Sequence, residues 1–163
     1  MDFSKFTLKT QEAIQKAQQV ALEKGHQTIE NSHLLKGVML ADTTITPFLL
    51  KKLNVNVALL QQALDKMLDS FPKVSGGNMA LSSEANIAIN RAQNFLKEFN
   101  DEFVAIEHLL LAIGEGNDKA SQMMRDAGVS SKELKKAILE LRKGQRVTSA
   151  SQEETYNSLE KYA

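Results

Sequence analysis

Apolar residues recur at spacings of three and four along most of this chain, which is the spacing of one face of an α-helix. The first such run begins after Thr7 and ends at Gly25, with Ala13, Ala17 and Ala21 on one face. Thr7 is a suitable amino-terminal cap, and Gly25 is a suitable residue just beyond the carboxyl end. The sequence offers no convincing alternating run of the kind that predicts a strand. The pattern therefore predicts an all-α protein.

This helical pattern occurs twice. The segment Asn31-Ser32-His33-Leu34-Leu35 returns as Ile106-Glu107-His108-Leu109-Leu110, with the two histidines 75 positions apart (33 and 108). The same offset relates Ala13 to Ala88. An internal repeat determines the overall architecture, whatever the assignment of single helices. A repeat of this length holds several helices. We predict a fold of eight helices, a duplicated four-helix repeat with pseudo-twofold symmetry.

The two copies have predicted boundaries. The domain is expected to cover residues 3–146, with repeat one at about 6–71 and repeat two at about 81–146. The predicted helices are about 8–24, 33–41, 48–52 and 56–69 in copy one, and about 84–99, 108–114, 120–127 and 131–142 in copy two. Residues 71–78, which contain a proline and two adjacent glycines, are expected to connect the copies.

The sequence changes character after Arg142. Residues 144–155 are polar, which predicts a flexible linker that spans on the order of 20 Å. Tyr156, Leu159 and Tyr162 then begin a new helical spacing. We therefore expect residues 147–163 to be a linker and the start of a helix that leads into a further module of a longer protein.

Composition restricts the classes of function. The chain has 163 residues with no cysteine, which excludes disulfides and thiolate metal sites and favours a reducing compartment. No leader-like start and no apolar run of about 18–20 residues is present, so we expect a cytoplasmic protein with no membrane partner. Lysine and arginine balance the acidic residues at 20 each without clustering, so nucleic acid is not expected as a partner.

The sequence contains no constellation for catalysis. A phosphate loop and a nucleophile elbow are absent from it. His33 and His108 each stand one turn into a helix before two leucines, without a second metal ligand at zinc-like spacing. We predict structural histidines, no metal site, and a domain that is not an enzyme.

The copies differ in the loop before their second helix. Copy two has Glu107 where copy one has Ser32, and it has Asp101 where copy one has His26. The acidic and apolar residues gathered there are Asp101, Phe103, Ile106 and Glu107. A difference between otherwise equivalent copies marks a place where one copy has kept a surface function, so this cluster is a candidate binding site.

A structural role is the alternative for two of the candidates. Glu107 stands in the first turn of a helix, where a negative charge stabilises the helix dipole by about 0.3–1 kcal/mol. Thr7 as an amino-terminal cap stabilises its helix by about 1 kcal/mol. Neither role excludes contact with a partner.

The paired alanine-spaced helices, each followed by His-Leu-Leu, resemble the Clp amino-terminal domain, the duplicated module that precedes the AAA+ ATPase rings of Clp chaperones. The resemblance covers about residues 3–146. The tail segments 144–148 and 156–162 are similar to the linker of the disaggregase branch. The protease-partner branch typically has Thr-Glu-His in both copies, whereas copy one here has Asn31-Ser32-His33, so only Glu107 remains of a paired-glutamate site for phosphorylated arginine.

The resemblance implies a function. It implies a mobile, non-catalytic domain that binds unfolded or aggregated polypeptide weakly and passes it to an ATPase ring. Positions matching Thr7, Asp101 and Glu107 are implicated in substrate handling, and Phe103 and Ile106 complete our candidate set. ATP and magnesium are expected only in the downstream module, in a parent that forms a homohexamer, while this fragment is expected to be monomeric.

Two further expectations concern partners. A groove between the copies, lined by apolar side chains and rimmed by carboxylates, suits exposed apolar segments of unfolded protein. The alternative is a docking platform for a folded adaptor or co-chaperone of a Clp protease ATPase.

Overall fold

The computed structural model describes residues 3–74 and 77–153. Copy one contains α1 (Leu8–Glu23), β1 (Thr28–Ile29), α2 (Asn31–Ala41), α3 (Ile45–Lys52) and α4 (Val57–Asp69). Copy two contains β2 (Ala80–Leu81), α5 (Ser83–Phe99), α6 (Ile106–Gly114), α7 (Lys119–Asp126) and α8 (Ser131–Arg142). The all-α, duplicated eight-helix prediction is confirmed.

The two copies correspond almost residue for residue. The starts of α2 and α6 are 75 positions apart (31 and 106), and those of α4 and α8 are 74 apart (57 and 131). Thr7 caps α1 by accepting the N–H of Thr10, and Ser82 caps α5 by accepting the N–H of Ala85. Equivalent residues therefore begin equivalent helices.

The first two helices of copy one pack at very short range. Ala13, Ala17 and Ala21 of α1 are fully buried and leave a smooth surface for α2. A Cβ atom on Gly37 of α2 would lie 2.1 Å from the carbonyl oxygen of Ala13. Only glycine permits this approach of the two backbones.

Two short strands join the copies, which differs from the expectation of helices alone. Ile29 of β1 pairs in parallel with Leu81 of β2, and an isolated parallel bridge joins Phe6 to Val104. These two pairs are related by the same repeat offset, since 6 and 29 become 81 and 104. Each copy therefore contributes an extended segment to the other, and the copies fold as one unit.

Three helices begin at least two residues earlier than their sequence pattern predicts, and one of them is α6, which begins at Ile106 rather than His108. Helix α2 begins at Asn31 rather than His33, and its cap is Glu30 rather than Ser32. Helix α3 begins at Ile45 rather than Phe48. The buried Asp42 carboxylate accepts the N–H groups of residues 44, 45 and 46 at 3.2, 3.1 and 2.6 Å, which stabilises the extra turn.

The described part of the expected flexible linker packs on the domain. Val147 is fully buried, and its N–H donates to Oδ1 of Asp101 at 2.8 Å. Glu153 is also buried. These contacts differ from the loose tether expected over residues 144–155. The helix expected around Tyr156 lies outside the described residues, and the division into domain and linker stays a prediction.

Candidate functional site

An open groove of about 750 Å³ lies between α4 of copy one and α7 of copy two. Its apolar lining is Leu59, Leu60, Ala63, Met67, Met123 and Ala127. Its polar lining is Asn54, Asn56, Lys119, Gln122 and Asp126. The groove lies between the copies, as expected, but its rim carries one lysine and one carboxylate instead of several carboxylates.

The helix ends on both sides of the groove are fixed by ordinary capping. Asn56 caps α4 by accepting the N–H of Leu59 at 3.1 Å, and Asp118 caps α7 by accepting the N–H of Ser121 at 2.9 Å. On the groove wall the hydroxyl of Ser32 donates to the sulfur of Met67 at 3.0 Å. Local hydrogen bonds therefore fix where both helices of the groove begin.

The twofold-related face between α8 and α3 carries different side chains. Leu59 in the groove corresponds to Glu133 on that face, and Gln122 corresponds to Phe48 (offset 74). On that face Lys52 also pairs with Glu140 at 3.4 Å. The groove thus has Leu59, with 59% of its surface exposed, where the other face has a glutamate, and the other face has the half-buried Phe48 where the groove has Gln122. Exposed apolar side chains lining a groove make it a candidate binding site.

The acidic residues predicted for the site do not line the groove. They belong instead to a separate buried cluster. Nη1 of Arg142 lies 2.7 Å from Oδ2 of Asp101, and Nε of Arg142 lies 3.2 Å from Oε2 of Glu107. The Glu107 side chain is fully buried, and within residues 3–74 and 77–153 its Oε1 atom has no hydrogen-bond partner. Phe99 covers the guanidinium with its ring centroid 5.1 Å from the central carbon.

His108 also belongs to this cluster, and its hydrogen bonds define its tautomer. Its Nδ1 accepts the N–H of Ala105 at 2.8 Å, so the proton of the neutral ring is on Nε2. Nε2 lies 2.7 Å from Oδ2 of Asp101 and donates to it. His33 has the same role in copy one, where it accepts the N–H of Glu30 at 2.9 Å. Both histidines are thus hydrogen-bonded parts of the scaffold.

The two carboxyl groups differ in their electrostatics. Burial raises the pKa of Glu107, and the nearby Glu153 charge adds to this effect while Arg142 opposes it. Burial alone would also raise the pKa of Asp101. Hydrogen bonds from His108 and the Val147 backbone, together with Arg142, instead hold the pKa of Asp101 below its usual value.

The remaining predicted residues lie beside this cluster. Thr7 and Ile106 are fully buried, and both contact Glu153. Phe103 is half-buried and packs against the core. The structure therefore brings four of the five predicted residues to one buried region, away from the α4–α7 groove. Their part in binding stays a prediction.

Sequence reasoning missed the groove residues and Arg142. Leu59 and Met123 belong to amphipathic helices, and nothing in the local pattern distinguishes them as groove residues. Aligning the two copies would have identified Leu59. It is replaced by Glu133 in the other copy, a difference as large as that between Ser32 and Glu107.

Two kinds of feature are not found among residues 3–74 and 77–153. No group of three or more histidine or acidic side chains there is arranged to hold a metal ion. No helix there has the length and apolar character to cross a membrane.

The architecture defines the class of domain, an all-α module of two four-helix copies with an apolar groove between them. The family model of the Clp repeat (R) N-terminal domain matches residues 5–127. The chain therefore belongs to the Clp repeat N-terminal domain family, which confirms the resemblance inferred from the doubled His-Leu-Leu motif.

Curated relatives extend this assignment. The chain is 46% identical over 163 residues to the chaperone protein ClpB of Bacteroides thetaiotaomicron, covering 100% of this chain and 19% of that protein. It is 42% identical over 163 residues to ClpB of Porphyromonas gingivalis, again covering 100% of this chain and 19% of that protein. The chain thus spans about a fifth of the length of the curated relatives it matches.

Solved structures share the fold at low identity. The Hsp104 N-terminal domain from Candida albicans has a TM-score of 0.80 at 22% identity, covering 91% of this chain and 98% of that one. The ClpD N-terminal domain from Arabidopsis thaliana has a TM-score of 0.68 at 21% identity, covering 88% of this chain and 98% of that one.

Proposed function

We propose that this domain recognises unfolded or aggregated polypeptide through the α4–α7 groove and passes it to an ATP-dependent disaggregase. The observation that supports this proposal is the apolar lining of the groove around Leu59 and Met123, in which Leu59 is largely exposed. Unfolded chains expose apolar side chains that folded proteins bury, and a groove of this lining accepts them without requiring a fixed sequence.

The groove suits weak and transient binding. Its contact surface is small beside the roughly 1,200–2,000 Å² of a stable interface. Thioether side chains such as those of Met67 and Met123 are flexible and adapt to different apolar partners. Several tethered copies of such a domain raise the overall affinity by about 10²–10⁴ without new contacts, while each contact remains easy to release.

The ATPase that would receive the polypeptide is proposed for the whole protein, of which this domain is one part. The matched relatives are chaperone proteins about five times as long as this chain, and this chain matches 19% of each. We propose that the remaining part is an AAA+ ATPase that uses ATP and magnesium and assembles as a cytoplasmic homohexamer. The domain itself is then a non-catalytic, monomeric binding module.

A matched pair of leucines tests the groove. Leu59 lines it, whereas Leu139 of α8 does not, and the two are similarly exposed at 59% and 58%. We expect Leu59→Glu to weaken binding of a permanently unfolded, reduced and alkylated protein by about tenfold, which is one apolar contact of about 1.4 kcal/mol. Leu139→Glu should bind as the unchanged domain does.

The same pair separates this function from the adaptor-docking alternative. Equal binding of unfolded protein by the Leu59→Glu and Leu139→Glu variants would contradict a role of the groove in substrate recognition. Loss of a folded adaptor from Leu59→Glu, with unfolded protein still bound, would replace substrate recognition with adaptor docking as the function of the groove.

A further inference from the structure

Residues 147–153 lie across the starts of two helices from different copies. The carbonyl of Ala150 accepts the N–H of Leu8 at 2.9 Å, and Oε2 of Glu153 accepts the N–H of Ile106 at 3.1 Å. Leu8 and Ile106 are the first residues of α1 and α6. First-turn N–H groups have no partner within their own helix, so this segment satisfies two donors that the body leaves open.

The segment is attached at its two ends. At one end Val147 is fully buried, donates to Asp101 and accepts the N–H of Glu102 at 2.7 Å. At the other end Glu153 also accepts the hydroxyl of Thr7 at 2.6 Å. The residues between them, 148–152, are exposed or half-buried and largely polar. Two anchors six positions apart therefore hold a segment with little core of its own.

One feature opposes this docking. Glu153 brings a third carboxyl group into the buried region that already contains Asp101 and Glu107, and the Oε1 atom of Glu107 has no hydrogen-bond partner among the described residues. Burial raises the pKa of Glu153, although the Thr7 hydroxyl and the Ile106 N–H favour its charged form. Favourable hydrogen bonds and unfavourable burial of like charges thus act against each other, which is the balance expected of a reversible contact.

We propose that residues 147–153 form a reversible latch that the chain places over its own Thr7 and over the start of α6. When docked, the segment covers the Thr7 hydroxyl and the Ile106 N–H and fixes where the following chain leaves the domain. When released, it exposes both groups and adds seven residues, up to about 25 Å of extended chain, to the tether. The latch is independent of the α4–α7 groove.

The latch also controls access to the residues that the sequence predicts for binding. Thr7 and Ile106 contact the latch directly, and Asp101 accepts the N–H of Val147. A ligand reaches these groups only after residues 147–153 detach. The residues that differ between the two copies in this region then form a site with a covered state and an open state.

Amide hydrogen exchange of the 163-residue chain, followed residue by residue by NMR, tests the latch. Glu153→Ala removes the acceptor, and Val147→Ser weakens the other anchor. Each change should raise the exchange rates of the Leu8 and Ile106 amides by about tenfold, the effect of losing one hydrogen bond to a charged group. The exchange of the buried Leu64 amide should not change.

Two controls separate the latch from general destabilisation. Glu153→Gln retains an acceptor oxygen and should protect both amides at least as well as Glu153 does. Glu12→Ala removes an exposed acidic residue of α1 and should have no effect. Unchanged Leu8 and Ile106 exchange in Glu153→Ala, or an equal rise at Leu64, would overturn the proposal, because the segment would then be unattached or a fixed part of the core.

Discussion

His26 and His33 form a buried hydrogen-bonded pair, with Nδ1 of His26 lying 2.8 Å from Nε2 of His33. Copy two has Asp101 and His108 in the equivalent places, 2.7 Å apart. The imidazole of His26 therefore replaces a carboxylate as the acceptor for the second histidine. Since Nδ1 of His33 accepts the backbone N–H of Glu30, a proton added to that nitrogen would face another donor.

This pair predicts a loss of stability in mild acid. Burial, then the neighbouring His26 and Lys24, lower the pKa of His33 from 6.5 to about 4. The unfolded chain therefore takes up a proton before the folded chain does as the pH falls below 6.5. Stability should fall by about 2 kcal/mol between pH 6.5 and pH 4, measured by urea unfolding followed by circular dichroism.

His26→Asp provides the matched change, because it copies the arrangement of Asp101 and His108. A carboxylate at position 26 favours the charged form of His33, so the acid-dependent loss specific to this pair should largely disappear. An unchanged pH dependence in His26→Asp would show that His33 is not its source.

Arg142 holds two buried carboxyl groups together, and its removal should be costly. Arg142→Met leaves Glu107 without its cation, and an uncompensated buried charge costs about 3–5 kcal/mol. Glu107→Gln should cost less than about 1 kcal/mol, since it removes a buried charge and keeps an oxygen facing Arg142. Urea unfolding at pH 7.5 measures both, and similar losses in the two variants would contradict this account.

Gly37 should not tolerate a side chain. Alanine has the higher helix propensity by about 1 kcal/mol, but its Cβ would meet the Ala13 carbonyl oxygen at 2.1 Å. The clash with the backbone outweighs the gain in helix propensity, so we expect Gly37→Ala to lower the free energy of unfolding by about 2–3 kcal/mol, which thermal unfolding measures. Ala112 is the equivalent residue of copy two, and Ala112→Gly should cost about 1–2 kcal/mol through lower helix propensity and the loss of one buried methyl group. A stabilising Gly37→Ala would contradict the close α1–α2 packing.

The helices were predictable where their caps are local. Helix α8 was predicted at its observed bounds because Ser130 caps it from the adjacent position. Helix α3 was predicted three residues too short, because its start depends on the Asp42 carboxylate that precedes it outside the apolar pattern. Repetition of the pattern gave the number of helices and their pairing, since equivalent sequences fold alike.

The sites were less predictable because their contacts are distant in sequence. Glu107 looks exposed in its helix pattern, and its partner Arg142 is 35 residues away. Glu153 reaches Ile106 across 47 residues. A groove between the copies was predicted, but the helices that form it, α4 and α7, were not. Broken symmetry between the copies occurs in two separate places, the buried cluster around Glu107 and the α4–α7 groove.

The methionine methyl groups offer the most direct test of the α4–α7 groove as the recognition site. Met67 and Met123 line the groove, whereas Met39 is buried outside it. When a permanently unfolded protein is added to the domain with labelled methionine methyls, we predict that the NMR signals of Met67 and Met123 shift or broaden and that the Met39 signal does not. Unchanged Met67 and Met123 signals, with shifts confined to the amides of Thr7 and Ile106, would contradict the proposed function.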